Sequence, residues 1–114
     1  MEKFDFNYYK ISTYIPKKYL KNLMDKINET ISQPYSNYDY VFSFYEVHGT
    51  WRPLEGAKPF KGKKNRIEKA KEIKIEFLIK RNELDKIIKV IKNNHPYEQP
   101  AIDIYPVIAG FEIN

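Results

Sequence analysis

His95-Pro96-Tyr97-Glu98-Gln99-Pro100 gathers an imidazole, a phenol and a carboxylate between two prolines. The imidazole titrates near neutrality, so His95 has the chemistry of a base, an acid or a metal ligand. Tyr97 offers a hydroxyl and Glu98 an acceptor beside it. Adjacency in sequence does not place the three in one pocket. The bland alternative is a helix-end turn whose backbone the prolines fix and the carboxylate caps. His48 is the only other histidine. Two histidines and an acid can hold zinc or another divalent ion, but such sets come at short, regular spacings that this chain lacks. Metal binding therefore stays open. No Ser-His-Asp order, phosphate loop, dinucleotide fingerprint or HExxH motif occurs, so no catalytic residue is assigned and no cofactor is implied.

A second unusual segment covers residues 49–67. Gly49, Pro53, Gly56, Pro59 and Gly62 punctuate it, and Trp51, Leu54 and Phe60 are its expected anchors. A loop this long in a small domain is uncommon unless it binds something or folds over the body. Arg52 and Glu55 flank Pro53-Leu54. If the loop folds back, one of them joins His95 at a cleft; otherwise the pair is exposed or merely fixes the loop. The candidate ligand-binding set is thus His95, Tyr97, Glu98, Glu55 and Arg52.

With 114 residues the chain has the length of one domain, and 42% hydrophobic residues is enough for a globular core. Cysteine is absent, which removes disulfides, thiolate metal sites and cysteine nucleophiles. The start, Met1-Glu2-Lys3-Phe4-Asp5-Phe6, lacks the apolar run of a signal peptide, and no membrane-spanning stretch exists. A soluble, cytoplasmic protein is expected. The net charge of +5 is partly local, with Lys58, Lys61, Lys63, Lys64, Arg66, Lys69, Lys71 and Lys74 in one basic run. Such a run steers polyanions or is simply a solvated loop. Only Phe60 lies inside it as a stacking aromatic, which weakens a nucleic-acid reading.

Four strands and two helices must position these residues. Residues 6–15 are aromatic and β-branched and form a first strand. Pro16 opens a helix on which Tyr19, Leu20, Leu23, Met24, Ile27 and Ile31 make one apolar stripe. A second strand is expected over 38–47. Both of its faces are largely apolar, which predicts a central or doubly covered strand that breaks at His48-Gly49. A third strand covers 72–79 and a second helix 83–93, with Asn82 as N-cap and Asn93 or Asn94 as a left-handed C-cap. The last strand covers 101–105 and stops at Pro106. The order β-α-β-β-α-β predicts a ferredoxin-like α+β sandwich. It has a four-stranded antiparallel sheet, two helices on one face and a long loop at about 49–67. The other sheet face then needs a cover, from the loop or from another subunit.

At this level of detail a family resemblance emerges. Trp51-Arg52-Pro53-Leu54-Glu55-Gly56-Ala57-Lys58-Pro59-Phe60, with Gly62, is similar to the FxPLEGAxPFxG segment of NIF3-like (YqfO-type) proteins. Glu72 to Phe77 resembles their ExRIE strand, and His95 to Pro106 resembles their HPYEEPAYDIYPL ending. Thr13-Tyr14-Ile15-Pro16 is similar to their opening vYvP. The first three motifs fall in register, and with the opening segment they cover nearly the whole chain. The resemblance is to one portion of those proteins, a PII/CutA-like inserted module, here read as free-standing. It implies a PII/CutA-like fold that is typically trimeric. It places the family's dinuclear metal centre in flanking domains whose ligands this chain lacks. Two departures matter. The family's glycine-rich turn after the first helix is replaced by residues 30–38, and the second Glu of HPYEEP is Gln99.

The expected function is a small binding or regulatory module. It would be homo-oligomeric and would contact a small ligand or a protein partner through the 49–67 loop and the HPYEQP turn. The alternatives are a metal-assisted hydrolase using His48, His95 and acids, and salt-dependent nucleic-acid binding through Lys58–Lys74.

Overall fold

A computed structural model describes residues 4–114. The strands are β1 (Tyr8–Ile15), β2 (Ser43–Trp51), β3 (Glu68–Lys80) and β4 (Ile102–Val107), and the helices are α1 (Leu20–Thr30) and α2 (Leu84–Asn93). They form one antiparallel sheet in the order β2-β3-β1-β4. This is the ferredoxin-like α+β sandwich, with β1 and β3 in the middle. Alternation along the two central strands explains the layering. Ile11 and Ile15 on β1, with Ile73, Ile75, Phe77 and Ile79 on β3, turn to the helices. Leu23 and Ile27 of α1 and Ile87 and Ile91 of α2 meet them there, fully buried. Each fully buried side chain of this size contributes about 1.5–3 kcal/mol.

The helices begin differently from expectation. Pro16 leads into a single 3-10 turn, Lys17–Tyr19, before α1 starts. A second such turn, Arg81–Glu83, precedes α2, and Asn82 does not cap it. Glu83 is instead buried and accepts bonds from Ser32 N–H (2.9 Å) and Ser32 Oγ (3.1 Å), tying the end of α1 to the start of α2. Asn94 ends α2 at φ −119°, outside the left-handed region. Its side-chain amide donates to the Val90 carbonyl at 2.8 Å and closes the helix in another way.

The second strand is shifted and lies at an edge. It was expected over 38–47 with both faces covered, but β2 starts at Ser43, and Phe44, Tyr45 and Glu46 are exposed. Tyr40 adopts φ 53°, which breaks extension. Its N–H donates to Asn28 Oδ1 (2.9 Å) and its hydroxyl to Asp25 (3.0 Å), so this segment belongs to α1. The strand then runs through His48-Gly49 to Trp51, and β3 begins at Glu68, which trims the long loop to 52–67. The last strand continues past Pro106 to Val107. A proline is tolerated there because β4 is an edge strand and the missing N–H breaks no central ladder. No described helix is long and apolar enough to cross a membrane.

Candidate functional site

The β2–β3 hairpin outruns β1. The register pairs Ile15 with Ile73, whereas β3 extends back to Glu68 opposite Trp51. The overhang leaves Glu72 and Trp51 beyond the end of β1, on the face of the sheet away from the helices. The HPYEQP turn arrives at this place from α2. Two bonds to β1 fix it: His95 Nε2 with the Tyr14 carbonyl, and Thr13 Oγ1 donating to the Ala101 carbonyl at 2.7 Å.

His95 is 8% exposed and both of its ring nitrogens meet backbone. Nδ1 accepts from Tyr97 N–H at 3.1 Å, so Nδ1 carries no proton. A carbonyl only accepts, so Nε2 carries the hydrogen and donates to Tyr14. The imidazole is therefore held neutral. Burial pushes its pKa down, opposed by the Tyr14 bond and by the charge of Glu72.

Tyr97 stands next to it, with ring centroids 4.8 Å apart. Its hydroxyl donates to Glu72 Oε2 at 2.9 Å. Burial, and then this bond, raise the phenol above its ordinary value. Glu72 is itself 8% exposed and forms no ion pair among the described residues. It lies over Gly49, where a Cβ would come within 2.5 Å of Glu72 Oε1. The glycine in β2 is thus explained by close approach of a carboxylate.

The 52–67 loop folds back over this end of the sheet. Gly56 (φ 88°) turns the chain, with Ala57 N–H donating to the Leu54 carbonyl. Asn65 (φ 63°) bonds the Pro53 carbonyl through its N–H at 2.6 Å, and its amide donates to Glu55 Oε1 at 3.0 Å. Trp51 Nε1 donates to the Lys61 carbonyl at 3.3 Å. The loop reaches the turn where Lys58 N–H donates to Glu98 Oε2 at 3.0 Å and where Phe60 packs between Tyr19 and Tyr97. Together they enclose a cleft of about 290 Å³, walled by Tyr14, Trp51, Pro53, Phe60 and Tyr97, with Glu72, Glu98 and Lys61 as its charged groups.

Of the five residues expected to bind, Tyr97 and Glu98 line the cleft and His95 supports it from behind. Arg52 is exposed and Glu55 is committed to Asn65; neither lines it. Glu72, Trp51 and Phe60 complete it. Glu72 was legible only as an acid beginning an apolar strand, and Gly49 only as an interruption of alternation. His48 sits exposed on edge strand β2, paired with Lys71 and apart from His95. Among the described residues no three His, Cys, Asp or Glu side chains come close enough to hold a metal ion. The basic run is divided. Lys69 and Lys71 share one face of β3, whereas Lys74 points to the other, near the Tyr14 and Tyr45 rings.

The family model for the CutA1 divalent ion tolerance protein matches residues 62–112. A Staphylococcus epidermidis protein, a GTP cyclohydrolase 1 type 2 homolog, is 44% identical over 96 residues, covering 84% of this chain and 26% of that protein. The chain thus spans about a quarter of the length of this relative. Among solved structures, a Bacillus cereus protein related to NIF3 aligns with a TM-score of 0.77 at 24% identity, over 94% of this chain and 27% of that one. CutA1 from a psychrotrophic Shewanella aligns with a TM-score of 0.70 at 16% identity, over 95% and 88%. The family match takes in the end of the loop, the β3 strand and the HPYEQP turn, the structural matches take in nearly the whole sandwich, and the chain has the fold shared by the CutA1 and NIF3-related structures.

Proposed function

We propose that the chain is a small binding or regulatory module that takes a small ligand in the cleft between the 52–67 loop and the HPYEQP turn. One observation carries this reading. Two segments far apart in sequence are joined by the Lys58–Glu98 bond and the Phe60–Tyr97 contact, and what they enclose is a walled cavity with few polar groups. Mostly apolar walls with a few convergent polar atoms are the usual make-up of a ligand site. The reading includes assembly of copies, a trimer by family resemblance, through the sheet face that the helices leave open. A hydrolase reading has less support, because His95 spends both nitrogens on backbone and His48 lies elsewhere. A nucleic-acid reading is weakened by the split of the basic run between two faces of β3.

The test is a thermal-shift panel of nucleotides, common metabolites and divalent metals on wild type and Tyr97→Ala. A ligand present at 100 times its Kd stabilises the fold by about 2.7 kcal/mol. A melting-temperature rise seen in wild type and lost in a folded Tyr97→Ala supports the cleft. A rise that survives the substitution refutes it.

A further inference from the structure

Resting on that reading of the cleft, we infer that its ligand is an organic cation, an ammonium or guanidinium group carried on a flat apolar body. The cleft is acidic in a basic protein. Two carboxylates, Glu72 and Glu98, line it against one lysine, Lys61, whereas the whole chain carries +5. The carboxylates are not equivalent. Glu98 is exposed and accepts the Lys58 N–H. Glu72 is more than nine-tenths buried, and its one hydrogen bond among those described is from the neutral Tyr97 hydroxyl to Oε2.

A buried carboxylate without a counter-charge is costly, and a cation beside it recovers much of that cost. Oε1, seated over Gly49, has no hydrogen-bond partner among those described, although it is not sealed from solvent. The surrounding surface suits a cation as well. The Tyr97 ring lies 6.5 Å from that of Trp51 and 6.0 Å from that of Phe60, tilted rather than stacked on each. Aromatic faces attract an ammonium or guanidinium, most strongly where water is excluded. The same rings and Pro53 and Pro59 suit a flat apolar body. A divalent metal fits less well, because it requires several oxygen ligands converging at short range, and no such group forms among the described residues.

Trp51 is the only tryptophan in the chain and stands in the cleft wall, so its emission reports occupancy directly. The 114-residue chain is titrated with phenethylamine, its neutral isostere 2-phenylethanol and the anion phenylacetate, with tetramethylammonium and manganese as further arms. The expected result is a saturable change in Trp51 emission with phenethylamine, at least tenfold weaker for the two isosteres. Glu72→Gln keeps an acceptor for Tyr97 and is expected to weaken phenethylamine at least tenfold. If that variant does not fold, the three isosteres on wild type still decide. Equal or tighter binding of the neutral or anionic isostere, or of manganese, overturns the cation and leaves the cleft reading standing. So does unchanged affinity in Glu72→Gln. No Trp51 response to any probe overturns the cation inference. If the thermal-shift panel also finds no ligand that depends on Tyr97, the cleft reading falls with it. If Glu72→Gln alters only the assembled mass by light scattering and no probe binds, the cation facing Glu72 belongs to a second copy of the chain and the small-ligand inference fails.

Discussion

His95 is held by two backbone partners in one tautomer, and this has a measurable pH signature. The folded state favours the neutral ring, because burial disfavours the charge and Nδ1 is needed as an acceptor for Tyr97 N–H. An unfolded histidine titrates near 6.5, the ordinary value from which His95 is lowered. Above that pH both states are neutral and His95 adds no pH dependence. Below it the unfolded chain binds a proton that the fold refuses, so stability falls as pH drops from about 6.5 toward the folded value. Melting temperature is expected to decline over this window in wild type. The decline is expected to be shallower in His95→Gln, with denaturant unfolding as the check. Tyr97→Phe tests the next link. It deletes the donor to Glu72, and a bond to a charged group contributes about 1.5–3 kcal/mol, so a loss of that order is expected in urea unfolding. A loss below 0.5 kcal/mol would show that water replaces the phenol at Glu72 at little cost. Ser12 gives the opposite case. Its Oγ is buried with no hydrogen-bond partner among the described residues, so Ser12→Ala is expected to be neutral or slightly stabilising.

At the scale of elements, burial periodicity was legible and local tethering was not. The isoleucines of β3 and both helices repeat with clean periods of two and of three to four, because each faces one continuous core. The second strand misled because Tyr38, Tyr40 and Phe42 alternate like strand residues. What decides their place is Asn28 and Asp25 on α1, which capture Tyr40 through hydrogen bonds that composition does not announce. The site was legible in the same uneven way. Tyr97 and Glu98 stood out by residue type, whereas Glu72 joins them only because the hairpin overhangs β1, a consequence of register. The loop depends on its own local geometry, chiefly at Gly62. There φ is 102° and an added Cβ would lie 2.6 Å from Glu68 Cγ and 3.4 Å from Trp51 Nε1. Gly62→Ala is therefore expected to loosen the loop rather than the sandwich, with Trp51 becoming more accessible to acrylamide quenching. Ile27→Ala supplies the contrast. It empties a fully buried position and is expected to cost about 2–5 kcal/mol while leaving the quenching of the native state unchanged.

At the scale of the molecule, the decisive dimension is the shortest. The described chain measures 52 × 38 × 23 Å, which is the thickness of one sheet and one helix layer. Among the described residues, the sheet face opposite the helices therefore has no second layer over it. Across it, β1 carries Tyr8, Lys10, Ser12 and Tyr14, while β3 carries Lys74, Glu76 and Leu78. The 52–67 loop covers only the end near Trp51 and Glu72, and Phe111 packs on Tyr8 at the other end. Between them Tyr45 and Tyr105 remain 50% exposed. Lys74 lies near the Tyr14 and Tyr45 rings and pairs with Glu76 at 3.5 Å, and a bond to Tyr45 raises its pKa. Tyrosine-rich surfaces of mixed polarity suit contacts between subunits better than contact with water. The proposed assembly then makes a clear demand. Light scattering should give three times 13.7 kDa for wild type. Tyr45→Lys with Tyr105→Lys should give a monomer that retains the native fold, because both side chains lie outside the core. Placing one lysine beside Lys74 and the other beside Lys10 opposes association by charge as well as by lost area. A double variant that keeps the wild-type mass removes this face from the contact. A wild type that is already monomeric at high concentration leaves the open face with some other partner. Such a monomer would still have to bind at Trp51 for the cleft to count as the site of one chain alone.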